Sequence, residues 1–233
     1  MTTQSVSCVF QTSSGLALSF QDHTVTDGTA QELVSGGWNQ VTGQSLGTLG
    51  DGLTVTHGLA VFGDNGTYAY IANPDGSSNQ PLPIMRASAG IQGMIALCKP
   101  VRLIPGMTIQ VLANVTGTTV VAMNVYCASG VGHIFTGTAG SAGTVSNLTS
   151  IINSSDVGSV LTGQVITKAF VTSASDWDAA ESAGFPAVAL IAGNGQSKAF
   201  WPQQMPVYNQ PVWQMYPARI DLNDVLQIDT DTA

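Results

Sequence analysis

The residues of this chain that could act as an acid or a base are three separated histidines and fourteen carboxylates. His23 stands beside Asp22, and this pair is the best candidate for acid-base chemistry because a carboxylate can orient a histidine and stabilise its charged form. A nucleophilic serine is often found in a Gly-x-Ser-x-Gly turn, but the segment around Ser141 lacks the first glycine. The sequence therefore predicts no catalytic residue and no enzymatic activity.

Three neighbouring carboxylates, Asp176, Asp178 and Glu181, could bind a hard cation such as calcium through oxygen ligands. They lack the glycine and the alternating ligands of an EF-hand loop, and acidic residues in the first turn of a helix are stabilised by the helix dipole. We interpret them as the start of a short helix over Ser175–Ala183 and predict no metal site. The glycine-rich runs lack the spacing of a nucleotide-binding loop, so no cofactor is predicted.

An uncharged segment near 200–217 contains four prolines and several aromatic residues. Because proline interrupts internal strands, the segment is predicted to be an extended arm or a sheet edge. Aromatic, methionine and uncharged polar side chains are typical of contacts between subunits. The predicted interface residues are Trp201, Met205, Tyr208, Trp213, Met215 and Tyr216. An arm that covers the core of its own subunit explains the composition equally well, and an aromatic platform for a sugar is a third interpretation.

The elements that would position these residues are short segments in which polar and apolar residues alternate. Ser5–Gln11 and Leu16–Phe20 flank a turn and predict a hairpin. Turn-forming residues recur at Gly63–Gly66 and Asn73–Gly76. Other predicted strands are Leu53–Thr56, Leu59–Phe62, Thr67–Ala72, Thr108–Val115, Thr118–Cys127, Ala187–Ala192 and Asp224–Ile228, with a further β-rich run in 158–172. Short strands with glycine-rich turns predict an all-β antiparallel sandwich, with a jelly roll as the leading topology.

The sequence predicts one domain over 1–233, with a Gly-rich loop near 129–141 and at most one or two short helices. Val145–Ser154 is the second helix candidate beside Ser175–Ala183. No internal repeat at a fixed period is visible, which disfavours a solenoid or a propeller. The apolar runs are much shorter than the roughly 18 residues of a membrane-spanning helix, so no membrane span is predicted.

Charged residues make up 9% of the chain, against about 25% in ordinary soluble domains. A surface with so few charges is expected to be covered by other subunits or kept wet by neutral polar residues. The six basic residues are scattered and the net charge is −8, which argues against direct contact with nucleic acid. The first residues lack a secretory pattern, and three widely spaced cysteines, Cys8, Cys98 and Cys127, are predicted to be buried thiols.

A Pro-Gly lead-in to a strand at Ile104–Val111, together with the low charge and the β pattern rich in Gly, Ser, Thr and Ala, resembles virion structural proteins of bacterial or archaeal viruses. The resemblance implies a self-assembling capsid or capsid-decorating subunit that contacts copies of itself and other virion proteins and is assembled in the host cytoplasm. A trimeric fibre head that binds a receptor or a glycan through Trp201 or Trp213 is the first alternative. A β-fold polysaccharide hydrolase that uses carboxylates such as Asp22 or Asp176 is the second.

Overall fold

The alternating residues at the start of the chain form the predicted hairpin. Strand β1 covers Thr3–Thr12 and β2 covers Ala17–Thr26, and the two strands pair antiparallel with a register shift between Gln4 and Val6. Gly15, with φ of 83°, lies in the turn between them. Glycine is favoured at this angle because it has no Cβ to clash with the backbone.

The computed structural model describes residues 3–36, 42–64, 66–86, 94–113, 120–138, 145–173, 187–202 and 217–229. These residues form two compact units, which divide between residues 114 and 115. Unit 1 contains the described residues up to 113, and unit 2 contains those from 120 onwards. That the whole of 1–233 forms a single domain stays a prediction.

The described part of unit 1 is a sandwich of two sheets. After β1 and β2 come β3 (Ala30–Leu33), α1 (Leu46–Leu49), β4 (Thr54–Phe62), β5 (Gly66–Ala72), β6 (Ser78–Pro81), β7 (Ile84–Arg86), β8 (Ile95–Arg102) and β9 (Thr108–Ala113). One sheet has the antiparallel order β2-β1-β4-β8, with β7 parallel to the end of β4, and the other has the order β3-β9-β5-β6. Apolar side chains from both sheets, including Phe10 and Ile109, share one core.

Unit 2 contains one continuous sheet that curls until it is nearly closed. Its described elements are β10 (Val120–Cys127), β11 (Gly132–Thr138), β12 (Val145–Ser150), α2 (Val157–Leu161), β13 (Val165–Ser173), β14 (Ala187–Ile191), β15 (Ser197–Pro202), β16 (Ala218–Arg219) and β17 (Val225–Asp229). Two residue pairs, at Phe135 and Thr136, join β11 to β12. This short junction separates the sheet into two halves, β11-β10-β13-β16 and β12-β17-β14-β15.

The two units have the same topology. The order β1, β2, β3, α1, β4, β5, β6, β8, β9 corresponds to β10, β11, β12, α2, β13, β14, β15, β16, β17. Six antiparallel pairings of unit 1 recur between corresponding strands of unit 2. In each unit eight of these strands lie in two groups of four, with connections that cross between the groups, which is the arrangement of a jelly roll. The first and last strands of a jelly roll pair with each other. In each unit a hairpin, β1–β2 or β10–β11, joins these two strands, so the strand that comes last in a jelly roll is here the first, β1 or β10.

This correspondence is a structural repeat of two units, although no repeat at a fixed period is visible in the sequence. Turn glycines with positive φ occupy matching positions, in the pairs Gly15 and Gly130, Gly52 and Gly163, and Gly76 and Gly195. The repeat is hidden in the sequence because the units share turn geometry and an apolar pattern rather than a motif of identical residues. The predicted all-β antiparallel sandwich is confirmed for the described residues.

One predicted helix is wrong. Val145–Ser154 begins with strand β12, in which Leu148 and Ser150 are buried while Val145 and Asn147 are exposed, a period of two rather than 3.6. The other candidate, Ser175–Ala183, lies outside the described residues. Within the described residues, two short helices follow β3 and β12 instead, and residues 132–138 of the predicted Gly-rich loop form β11. No helix in the described part of the chain could cross a membrane.

Candidate functional sites

Four connections meet at one end of unit 1, which we call the helix end. They are the β1–β2 turn at 13–16, the residues 42–53 that contain α1, the β5–β6 turn at 73–77 and the β8–β9 loop at 103–107. Backbone hydrogen bonds and close contacts at glycines hold these loops together. The helix end is therefore a surface whose shape is set by main-chain packing.

Gly47, the second residue of α1, shows how tight this packing is. Its N–H donates to the carbonyl oxygen of Met107 at 2.8 Å, and a side chain at this position would collide with the carbonyl oxygen of Ile104. Gly106 lies against Pro74, so that an added Cβ would be 3.0 Å from the proline Cβ. The β8–β9 loop is thus bound to α1 on one side and to the β5–β6 turn on the other.

Unit 2 has an equivalent helix end, built by the same contacts. Gly158, the second residue of α2, donates its N–H to the carbonyl oxygen of Asp224 at 3.0 Å. A side chain at Gly158 would collide with the carbonyl oxygen of Leu222. Gly193 lies against Asn223, where an added Cβ would be 2.8 Å from the asparagine Cβ. The main-chain geometry of the helix end is therefore common to both units although the residues around the glycines differ.

Apolar side chains project from both helix ends. The exposed examples on these loops are Leu16 and Ile104 in unit 1, and Val131, Ile152 and Leu222 in unit 2. Leu16, 54% exposed, and Val131, 41% exposed, occupy the same place in their hairpin turns. Single exposed apolar residues are ordinary, but several on the loops of one end are typical of contact surfaces. Sequence patterns did not identify these residues, because each one is isolated along the chain.

The structure places one residue of the predicted aromatic interface. Trp201 lies on β15 opposite Val188 and is fully buried in the core of unit 2. In unit 1 the corresponding residue, Leu82, is also buried. The neighbouring Phe200 is 66% exposed, a contact candidate that the sequence analysis did not single out. The other predicted interface residues, Met205, Tyr208, Trp213, Met215 and Tyr216, lie outside the described residues, and their role stays a prediction.

The best acid-base candidate of the sequence does not have the geometry of a catalytic triad. His23 is exposed, with Nδ1 3.1 Å from Ser5 Oγ and Nε2 3.3 Å from Gln21 Nε2. Asp22 does not contact the ring but accepts hydrogen bonds from the hydroxyl and the N–H of Thr24, which lower the pKa of Asp22. His23 therefore has no carboxylate that orients it in the way a triad requires.

A buried histidine–serine contact, which the sequence analysis missed, lies between β11 and the end of β12. His133 Nε2 is 2.9 Å from Ser150 Oγ, and Ser150 Oγ also accepts from the N–H of Ile152 at 3.2 Å. Burial lowers the pKa of His133 to about 4, and its ring packs 4.7 Å from the ring of Phe135. A serine hydroxyl beside a neutral histidine is the contact that a nucleophile and its base require.

The repeat assigns this contact to structure rather than to chemistry. In unit 1 the corresponding residues are Leu18 and Ser35, and Ser35 Oγ accepts from the N–H of Gln44 at 3.0 Å. Both serines therefore close the connection that leads to the short helix, with or without a histidine beside them. Along the sequence Ser150 is 17 residues from His133, and the register of β11 with β12 brings them together.

A charged cluster in unit 2 replaces neutral residues of unit 1, where Asn79 stands at the place of Lys198 and Met107 at the place of Asp224. Lys198 Nζ lies 2.6 Å from Asp224 Oδ2 and 2.9 Å from Asp221 Oδ2. Asp224 is 2% exposed and also accepts the N–H of Asp221 at 2.8 Å. The hydrogen bond from Lys198 lowers the pKa of Asp221. The lysine ammonium occupies the space between the carboxylates, so the cluster fastens β15 to the β16–β17 loop.

Among the described residues, no group of three or more histidine, cysteine or acidic side chains could hold a metal ion. The carboxylates Asp176, Asp178 and Glu181 lie outside the described residues. Comparison with protein-family models, with curated proteins and with solved structures finds no match.

Proposed function

We propose that this chain is a structural, self-assembling subunit of a virion, either a capsid protein or a capsid-decorating protein. The observation that carries the proposal is the tandem jelly roll in a chain with few charges. Jelly rolls are used by viral capsid proteins and by lectins. The resemblance of the sequence to virion structural proteins supports the first of these uses.

The proposed mechanism is geometric. Each jelly roll is a rigid body, and its helix end presents apolar side chains on loops that backbone contacts hold in place. Many copies joined by modest repeated interfaces can form a stable shell. The scarcity of charge favours close packing, because like-charged subunits repel one another. The partners in this proposal are copies of the chain and other virion proteins.

Sedimentation and negative-stain images of the purified protein test the proposal. We expect assemblies of many copies, and we expect Leu16→Asp or Val131→Asp to reduce them, because a charge at a contact is costly to bury. Val145→Asp is the matched control, since Val145 is 57% exposed but begins a strand away from the helix end. A stable monomer that never associates, alone or with other virion proteins, would contradict the proposal. If the three substitutions reduce assembly equally, the helix ends are not the interface between copies.

A glycan-binding or receptor-binding fibre head is the second candidate, and exposed Phe200 favours it because sugars stack on aromatic rings. Since Trp201 is in the core, Trp201→Ala would disturb folding and cannot test binding. Phe200→Ala is the informative substitution, with Trp213→Ala as a second probe. Loss of glycan-array binding with unchanged thermal unfolding would favour the fibre head over the shell subunit.

A further inference from the structure

Asn194 and Gly195 form the tip of the β14–β15 hairpin at the helix end of unit 2. Both residues are exposed, and Gly195 has φ of 85°. Among the described residues other than its two neighbours in the chain, none has an atom within 4 Å of the position that a Cβ of Gly195 would occupy. Asn194 is therefore followed by a residue without a side chain, in an open turn.

The corresponding turn of unit 1 shows what a carboxylate does at this position. Asp75 and Gly76 occupy the places of Asn194 and Gly195, and Gly76 has φ of 82°. Asp75 Oδ1 accepts the N–H of Ser77 at 2.9 Å. In unit 2 the Oδ1 of Asn194 accepts the N–H of Gln196 at 3.1 Å. The same turn thus exists in this chain with an aspartate in one copy and an asparagine in the other.

We propose that Asn194 is a modification site, at which the side chain deamidates spontaneously. The nitrogen of Gly195 attacks Cγ of Asn194 and loses its proton, and the new N–Cγ bond closes a succinimide ring. The bond from Cγ to the side-chain nitrogen breaks, and that nitrogen takes up the proton and leaves as ammonia. Water then adds to either ring carbonyl and opens the ring to aspartate or isoaspartate. The only co-reactant is water, and no electron transfer is involved. Glycine favours the first step because it has no Cβ to hinder the approach.

The folded turn slows this reaction without preventing it. The N–H of Gly195 donates to the carbonyl oxygen of Ala192 at 2.8 Å, and this bond must break before the nitrogen can reach Cγ. Exposed hairpin turns open more readily than core strands. Deamidation is therefore expected to be slower in the folded chain than in the unfolded chain, but measurable in both.

The product changes the surface of unit 2. Each conversion adds one negative charge and takes the chain from a net charge of −8 to −9. The aspartate product keeps the turn, as Asp75 does in unit 1. The isoaspartate product inserts a methylene into the backbone and cannot keep both hydrogen bonds of the turn. Ageing is thus expected to yield one form that folds normally and one with a distorted hairpin tip.

Peptide mapping of the full-length protein after incubation in mildly alkaline buffer tests the proposal. Tryptic cleavage after Lys168 and Lys198 releases a peptide in which Asn194 is the single asparagine. We expect this peptide to gain the mass of deamidation and to become a substrate for an isoaspartyl methyltransferase. The same incubation in urea provides the rate for the unfolded chain. If the folded-state peptide is still unmodified when the urea sample has converted completely, the proposal is wrong.

Two variants provide the controls. Asn194→Ser removes the reacting amide and should abolish the acidic species that ion-exchange chromatography resolves from this peptide. Asn194→Asp should retain the thermal stability of the wild-type protein, because unit 1 carries aspartate in the same turn. Acidic species that persist in Asn194→Ser would place the reaction elsewhere, and a marked loss of stability in Asn194→Asp would contradict the argument from the repeat.

Discussion

Acid is expected to destabilise unit 2 through His133. The ring lies inside the unit, 7% exposed, with Nε2 against Ser150 Oγ. Burial disfavours the charged imidazolium and lowers the pKa of His133 from 6.5 to about 4. In the unfolded chain the same ring is in water and binds a proton near its ordinary pKa. The folded state is therefore the state that resists protonation.

The sign and the size of the effect follow from this difference. Between about pH 6.5 and pH 4 the unfolded chain binds more protons than the folded chain, so the free energy of unfolding falls as the pH falls. The stabilising contribution is complete above about pH 6.5 and is lost at about pH 4. A pKa difference of about 2.5, at about 1.36 kcal/mol for each pKa unit, amounts to roughly 3 kcal/mol.

Urea unfolding at a series of pH values measures this contribution when the wild-type protein is compared with His133→Leu. Leucine is the residue that unit 1 carries at this place, as Leu18, which is also 7% exposed. The difference in unfolding free energy between the two proteins should change by roughly 3 kcal/mol between pH 7 and pH 4. His23→Gln, which removes an exposed histidine, serves as the control. Taking the difference between the unfolding free energies of the two proteins at each pH cancels the contributions of the titrating groups that they share.

Two results would refute the reasoning. One is a difference between wild-type protein and His133→Leu that does not vary with pH over this range. The other is an NMR titration in which the ring of His133 in the folded protein becomes protonated near pH 6.5. Either result would mean that the ring is hydrated in the folded state, and that burial does not disfavour its charge.

Four further single substitutions and one double substitution test the repeat by unfolding free energy. Alanine normally stabilises a helix relative to glycine. Gly47→Ala and Gly158→Ala should nevertheless each lower the free energy of unfolding by about 1–3 kcal/mol, because the added Cβ meets a backbone carbonyl. A gain in stability would contradict the tight packing at the helix end. Ser154→Gly should raise the free energy of unfolding by about 0.5–1 kcal/mol, because Ser154 has φ of 55° at the place where unit 1 has Gly43. An unchanged urea midpoint would show that the backbone at Ser154 is not strained. Lys198→Asn should lower the free energy of unfolding by about 3 kcal/mol, because it leaves buried Asp224 without its cation. Adding Asp224→Met restores the neutral pair of unit 1 and should recover at least half of this loss. Additive losses would show that Lys198 and Asp224 are not coupled.

The strands of this protein could be predicted because polar and apolar residues alternate along them, as the two faces of a pleated strand require. Ser5–Gln11 alternates in sequence, and β1 alternates in burial in the same register. Cys8 and Cys127 are buried as predicted, and burial raises the pKa of Cys127 to about 11. Cys98 is partly buried. Short strands, turn glycines and buried thiols depend on a few neighbouring residues, so the local sequence is enough to predict them.

The repeat and the side-chain contacts could not be predicted from such patterns. The correspondence between the units is one of strand order and hydrogen bonds, so it becomes visible when the pairings are known. Trp201 stands in a proline-rich segment whose composition fits a subunit contact and a core-covering arm equally well, and the pairing of β15 with β14 places it in the core of unit 2. His133 and Ser150 are distant in sequence and meet through the register of two strands. Long-range pairing therefore decided the points on which composition was ambiguous.

The differences between the units suggest that they respond to acid in a definite order. Unit 2 carries His133 where unit 1 carries Leu18, and Asp224 where unit 1 carries Met107, another buried residue. Since the pKa of His133 is lowered to about 4, unit 2 loses stability between about pH 6.5 and pH 4 through a group that unit 1 lacks. Backbone amide NMR signals of β10–β17 should therefore disappear before those of β1–β9 as the pH falls, and His133→Leu should delay their loss. Loss of the unit 1 signals first, in both proteins, would show that another group governs acid unfolding.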